Sequence, residues 1–212
     1  MREFNKGQFL PYQDLAPRKS FPILTIALIL LNVMIFLWSI FGDYEEIIST
    51  YGFIPASFSL LTLVTSMFLH GGFDHIFGNM LYLWIFGDNV EDKFGKFLFI
   101  IFYFLSGFAA SALHLITNLN STIPAIGASG AISGVLGAYL VFFPKAGIRF
   151  ISRLGTGVMP AYYMIGFWFI MQLFFGFATL LGPRGSGIAF WSHIGGFVFG
   201  YLFAKIYKKF FK

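Results

Sequence analysis

Apolar stretches of about 20 residues, separated by short segments that hold nearly all the charge, dominate this chain. The first runs from Phe21 to Phe41 without one ionisable residue. Unpaired backbone groups are too costly in hydrocarbon for anything but a helix or a closed barrel, and ~20 helical residues match a bilayer core of ~30 Å. Further stretches lie at about 73–86, 94–117, 128–143, 158–181 and 189–207. With 58% hydrophobic and 11% charged residues among 212, a soluble domain is excluded. The chain has no cysteine, so neither disulfides nor thiol chemistry enter. The net charge of +5 sits beside apolar spans, which points to membrane orientation and not to nucleic acid.

Loop charge sets the direction. With the N-terminus in the cytoplasm, the inner segments hold Arg2, Lys6, Arg18, Lys19, Lys93, Lys96, Lys145, Arg149, Arg153, Lys205, Lys208, Lys209 and Lys212. That is thirteen of the fourteen Lys and Arg residues, with only Arg184 outside. The positive-inside rule then predicts an all-α integral membrane protein of six transmembrane helices with both termini cytoplasmic. Residues 1–20 read as a short surface tail and 21–212 as the membrane domain. Phe21–Phe41 is too long for a signal-peptide core and no small-residue cleavage site follows, so it reads as a retained span. The connection 42–72 carries Phe58, Leu60, Leu61 and Met67, too apolar for a solvated loop, and is expected to be partly helical in the interface. Asn32, alone in the first span, is expected to bond to another helix.

Orientation gives depth. Spans two, four and six begin on the outer side. There His75 and Asn79, Ser129 and His193 each fall within roughly 10 Å of a helix end. Polar side chains are expensive in hydrocarbon, so a layer of them is a functional candidate. A lone membrane Ser usually bonds its own i−4 carbonyl, and a lone Asn usually ties helices together. The surroundings argue otherwise. Gly127, Gly130, Gly134 and Gly137 surround Ser129 and run on from it, and His193 heads Gly196, Gly200 and Ala204 at i+3, i+7 and i+11. Small residues let helices approach closely. Two such faces packed together would bring the imidazole to the hydroxyl, the geometry that activates a serine nucleophile.

Gly127-Ala128-Ser129-Gly130, His193-Ile194-Gly195-Gly196 with Gly200, and His75-x-x-x-Asn79-Met80 occur in order, each on its own span. Together they resemble the rhomboid intramembrane serine proteases in their six-span bacterial form, from about residue 21 onward. Gly87-Asp88-Asn89-Val90-Glu91-Asp92 is similar to many bacterial members. The resemblance implies Ser129 as nucleophile, His193 as general base and then acid, and an oxyanion hole of His75, Asn79 and backbone N–H at Ser129. It implies single-span membrane proteins as substrates, cut in or near the outer part of their helix, in a bacterial plasma membrane with the site opening outward. No cofactor is implied. No acidic residue stands out as a third member among the outer carboxylates Asp43, Glu45, Glu46 and Asp74, so a Ser–His dyad is expected. Ser192 stands where Ala is common, and the first loop lacks the Trp-Arg pair of many members. Asp74 beside His75 is unusual.

Other readings have sequence consequences. A metalloprotease using His70, His75, His114 and His193 would need H-E-x-x-H or a carboxylate ligand in the same layer, and neither is present. A catalytically inactive membrane-helix binder usually lacks the serine or histidine, and both are present here. A transporter would favour inverted repeats. For lateral substrate entry, the outer half of span five with Phe174, Phe175 and Phe177 and the 182–187 loop is the expected gate.

Overall fold

The computed structural model describes residues 10–181 and 188–211. Within them six helical rods pack side by side: α1 (Ile23–Phe41), a rod formed by α4 (Phe73–Tyr82) and α5 (Asp88–Phe94), α6 (Lys96–Thr117), α7 (Ser129–Phe142), α8 (Ala161–Leu181) and α9 (Phe190–Phe211). Two short helices, α2 (Tyr44–Tyr51) and α3 (Leu60–Thr65), occupy the connection after α1, as its apolar content foretold. Phe58, Leu60 and Leu61 are exposed there. Among the described residues α1, α6 and α8 are both long and apolar enough to cross a membrane.

α7 is the axis. Eleven of its fourteen residues are buried, so it is apolar all round, as a helix enclosed by others must be. At 1.5 Å per residue it is ~21 Å long, short of a bilayer core. Its neighbours approach through glycine. A β-carbon at Gly196 or Gly200 of α9 would collide with the carbonyl of Gly130 or Gly134 on α7, and one at Gly134 would also meet Ser106 of α6. At the other end Phe94 packs its ring against Phe102, Phe142, Phe203 and Tyr207, with centroids 4.8–5.5 Å apart.

The rod from Phe73 to Phe94 is continuous through a π-type turn at Leu83–Gly87. It breaks at Gly95, whose φ of +75° reverses the chain directly into α6. The acidic run that follows span two holds α1. Glu91, 1% exposed, accepts the backbone N–H groups of Leu24 (3.1 Å) and Thr25 (2.8 Å) and the Thr25 hydroxyl (2.8 Å). Pro22 at the head of α1 makes no side-chain cap, so Glu91 caps that helix from across the bundle. Glu91→Ala is expected to cost about 2–4 kcal/mol, by loss of a cap that leaves the half-buried Leu24 and buried Thr25 N–H groups without partners. Glu91→Gln, which keeps an accepting oxygen, is expected to cost less; thermal unfolding in detergent measures both.

The chain is not all-α. Leu10–Asp14 (β1), Gly147–Ser152 (β2) and Gly155–Pro160 (β3) form an antiparallel sheet in the order β1-β2-β3. The segment read as a surface tail thus supplies an edge strand, and span five starts at Ala161 because Val158 belongs to β3. Asp14 closes this end by accepting from the Tyr139 hydroxyl (2.8 Å) and the Asn89 amide (3.0 Å). Burial pushes its carboxyl above the usual value, against the lowering effect of the Tyr139 hydroxyl, the Ala16 N–H and the Arg18 charge. Asn32 does not reach another helix in its observed bond: its amide donates to Leu28 on its own α1 at 2.7 Å. Asp74 is exposed in the first turn of α4, where a negative charge meets the positive helix end.

Candidate active site

Ser129 is the first residue of α7, so no preceding helical turn offers its hydroxyl an i−4 carbonyl. Ser133, one turn on, shows the ordinary alternative and donates to the Ser129 carbonyl at 2.6 Å. Ser129 Oγ instead lies 2.8 Å from Nε2 of His193, in the first turn of α9. Sixty-four residues separate the two in sequence. The glycine contacts between α7 and α9 set their distance.

The imidazole has a second partner. His193 Nδ1 lies 2.8 Å from Oε1 of Gln172, on α8. Trp168, one turn earlier on α8, sets its ring 6.1 Å from the imidazole, centroid to centroid. Gln172 is not among the residues the sequence singles out, where span five stands out for its aromatics. The signal was one amide in an otherwise uncharged span, the pattern already noticed for Asn32.

His75, on α4, accepts the Gly71 N–H at Nδ1 (3.1 Å), so its ring proton is on Nε2. That edge faces Gly127. A β-carbon at Gly127 would sit 2.9 Å from His75 Nε2 and 3.7 Å from Ser129 Oγ. The space between imidazole and hydroxyl is therefore the space a side chain at Gly127 would fill. Gly127 precedes α7 in a turn with φ +122°, so it serves this opening and not the helix-packing face expected of it. Gly130, Gly134, Gly196 and Gly200 do lie between helices. Asn79 is brought near by its place one turn after His75, but its amide donates to the His75 carbonyl at 2.8 Å. Only its second N–H is free of that bond.

Behind Ser129 lies a cavity of about 30 Å³ lined in part by Ser66, Ser111, His114, Gly130 and Ser192. The first turn of α7 adds N–H groups without intrahelical partners and a partial positive charge. Among the described residues no three His, Cys, Asp or Glu side chains group as a metal would need. His70 and His75 lie edge to face, with centroids 5.1 Å apart. Of the expected gate aromatics, Phe175 stacks on Phe190 and Phe177 meets Trp191, both on α9. The loop 182–187 lies outside the described residues.

Fold and site together define a helical integral membrane protein with a hydroxyl–imidazole pair at the head of its central helix. The Rhomboid domain family model matches residues 57–210, most of the chain. The chain belongs to the rhomboid family. It is 32% identical over 208 residues to Rhomboid protease GluP of Bacillus subtilis (strain 168), covering 95% of this chain and 37% of that protein. To Rhomboid protein 1, mitochondrial, of Saccharomyces cerevisiae it is 29% identical over 194 residues, 88% of this chain and 54% of that one. To RHOMBOID-like protein 5 of Arabidopsis thaliana it is 31% identical over 139 residues, 66% and 41% of the two chains. It thus spans between 37% and 54% of these relatives' lengths.

Proposed function

We propose that this chain is an intramembrane serine endopeptidase that cuts single-span membrane proteins in or near the outer part of their transmembrane helix. The observation that carries the reading is the 2.8 Å contact between Ser129 Oγ and His193 Nε2 inside a membrane bundle. The family and the relatives named as proteases support it. In this reading six helices cross a plasma membrane, both termini are cytoplasmic, and the site opens on the other side. The loop charges are its support.

Ser129 Oγ attacks the scissile carbonyl carbon while its proton passes to His193 Nε2. The oxyanion formed sits in the space beside Gly127, stabilised by N–H groups of the first turn of α7, by His75 Nε2–H and by the second N–H of Asn79. Collapse breaks the C–N bond, and His193 returns its proton to the leaving amine. Water then attacks the acyl ester on the reverse path. The 30 Å³ cavity is large enough for one water and is lined by hydroxyls. A helical peptide bond is shielded by its own hydrogen bonds, so substrate helices containing Gly, Pro or polar residues are expected to be cut faster than uniformly Leu-rich ones.

The reading is tested with purified protein, a single-span reporter and a fluorophosphonate. Cleavage that stops as the reagent adds to Ser129, located by mass spectrometry, supports it. Absence of cleavage would favour an inactive helix-binding relative, and loss only to chelators a metal enzyme. Within it, Asn79→Ala is expected to lower turnover by about 10²–10³ if that amide is a principal donor, and His75→Ala by less. Unchanged turnover in folded Asn79→Ala enzyme would leave Asn79 with no more than its bond to the His75 carbonyl, within its own helix.

A further inference from the structure

Gln172 is the sole amide of α8, a helix with no charged side chain. It is 8% exposed, on a stripe with Ala161, Ile165 and Gly176 that faces the bundle. An amide in such a place is costly unless its polar atoms are used. Its Oε1 is used on His193 Nδ1, at 2.8 Å.

An amide oxygen has no proton, so the hydrogen of this bond belongs to Nδ1. The neutral imidazole then carries its lone pair on Nε2, the atom facing the Ser129 hydroxyl. The opposite tautomer would put N–H on Nε2 and leave it unable to take the serine proton. We infer that Gln172 is a positioning residue: it holds His193 in the one tautomer and ring orientation that can accept from Ser129. The inference rests on reading Ser129 and His193 as the catalytic pair.

The amide does what a carboxylate does in a three-membered constellation, without a charge. When Nε2 takes the serine proton, Nδ1–H becomes more acidic and its bond to Oε1 tightens, so the interaction is stronger in the transition state than in the ground state. A full carboxylate here would have to be desolvated with nothing cationic beside it until that moment. Trp168 fixes the ring from the same helix, so one face of α8 sets both the plane and the protonation of the base.

The effect is predicted in kcat and not in KM, because Gln172 touches the base and not the peptide. Gln172→Met keeps the length and apolar bulk of the side chain and removes the acceptor. It is expected to lower kcat about 10- to 100-fold, the range seen when a partner that orients a functional histidine is lost, with KM within about twofold. Phosphonylation of Ser129 by the fluorophosphonate should slow by a similar factor. Gln172→Glu restores an accepting oxygen and is expected to recover most of kcat. Independently of activity, ¹⁵N spectra of histidine-labelled protein, assigned by replacing each of the four histidines in turn, should show His193 protonated at Nδ1 in the natural chain. In Gln172→Met that signal should shift toward a mixture of tautomers.

Wild-type kcat and an unchanged Nδ1 signal in folded Gln172→Met would overturn the inference while leaving Ser129-dependent cleavage intact. If the methionine variant does not fold, the natural chain decides, and a His193 found protonated at Nε2 in its ¹⁵N spectrum overturns the inference. If the natural chain cuts nothing, the protease reading fails, and the tautomer measurement still decides whether Gln172 orders the imidazole.

Discussion

Ser129→Ala and His193→Ala are each expected to lower reporter cleavage by on the order of 10⁴- to 10⁶-fold, and the double variant to be no slower than either alone. A nucleophile and its base act as one unit. Without the imidazole the hydroxyl stays protonated, and without the hydroxyl the imidazole has no proton to take, so the second loss removes nothing further. In both variants the helix end, His75 and Asn79 remain, and substrate binding should persist. Retained co-purification of the reporter with Ser129→Ala, at unchanged thermal stability, would separate lost chemistry from lost structure. Multiplicative losses, with the double variant far below both singles, would mean that the two residues work apart. The 2.8 Å bond would then be a structural tie like that of Ser133.

Why Ser129 and His193 were legible, and Gln172 was not, is a matter of physics. Ser129 and His193 announce themselves through glycine: a polar residue at the head of a small-residue face is conspicuous in an apolar span. Gln172 has bulky neighbours, Met171 and Leu173, and its partner is 21 positions away on another helix. An uncharged amide leaves no mark on hydropathy or loop charge. The position beside the imidazole that a carboxylate would take is held by an amide.

The sheet was missed for a related reason. Lys145, Arg149 and Arg153 were weighed as loop charge, so the strand-forming run Ile148-Arg149-Phe150-Ile151 between them was passed over. So was the tight reversal at Arg153-Leu154, where Ser152 pairs with Gly155. β1 could not be read locally, because its hydrogen bonds go to residues more than 130 positions away. The rods were legible because hydrocarbon leaves a helix little choice, and their ends shifted by only a few residues, except that the second rod runs on past Phe86 to Phe94. Glu91 shows the limit of reading a motif by likeness. Its place in the acidic run was seen, while its work, capping a helix 66 positions earlier, needs the packed bundle.

Gly200→Ala is expected to be nearly as damaging as Gly200→Leu, although composition alone suggests that one methyl group is mild. On α9 a β-carbon at this position collides with the carbonyl of Gly134, and the nearest atoms include the carbonyl carbon and Cα of the same residue at 2.6 Å. These are backbone atoms of an enclosed helix, which cannot rotate aside as the tip of a side chain can. Gly137 makes the reverse approach toward the carbonyl of Phe197 and the amide of Tyr201, so the helices cannot slide to relieve one contact without tightening the other. The strain must open the α7–α9 gap, and that gap spans Ser129 and His193 two turns away. A displacement of ~1 Å costs about 10²-fold in rate where reacting groups must meet. Turnover of Gly200→Ala is therefore expected to fall by about 10²-fold or more, together with a lower Tm. Gly166→Ala on α8, where nothing lies within 4 Å of the added carbon, is the matched control. It should keep full activity and gain up to ~1 kcal/mol from helix propensity. Wild-type turnover and Tm in Gly200→Ala would mean that the α7 and α9 backbones do not meet there, and glycine packing would no longer explain how the hydroxyl reaches the imidazole.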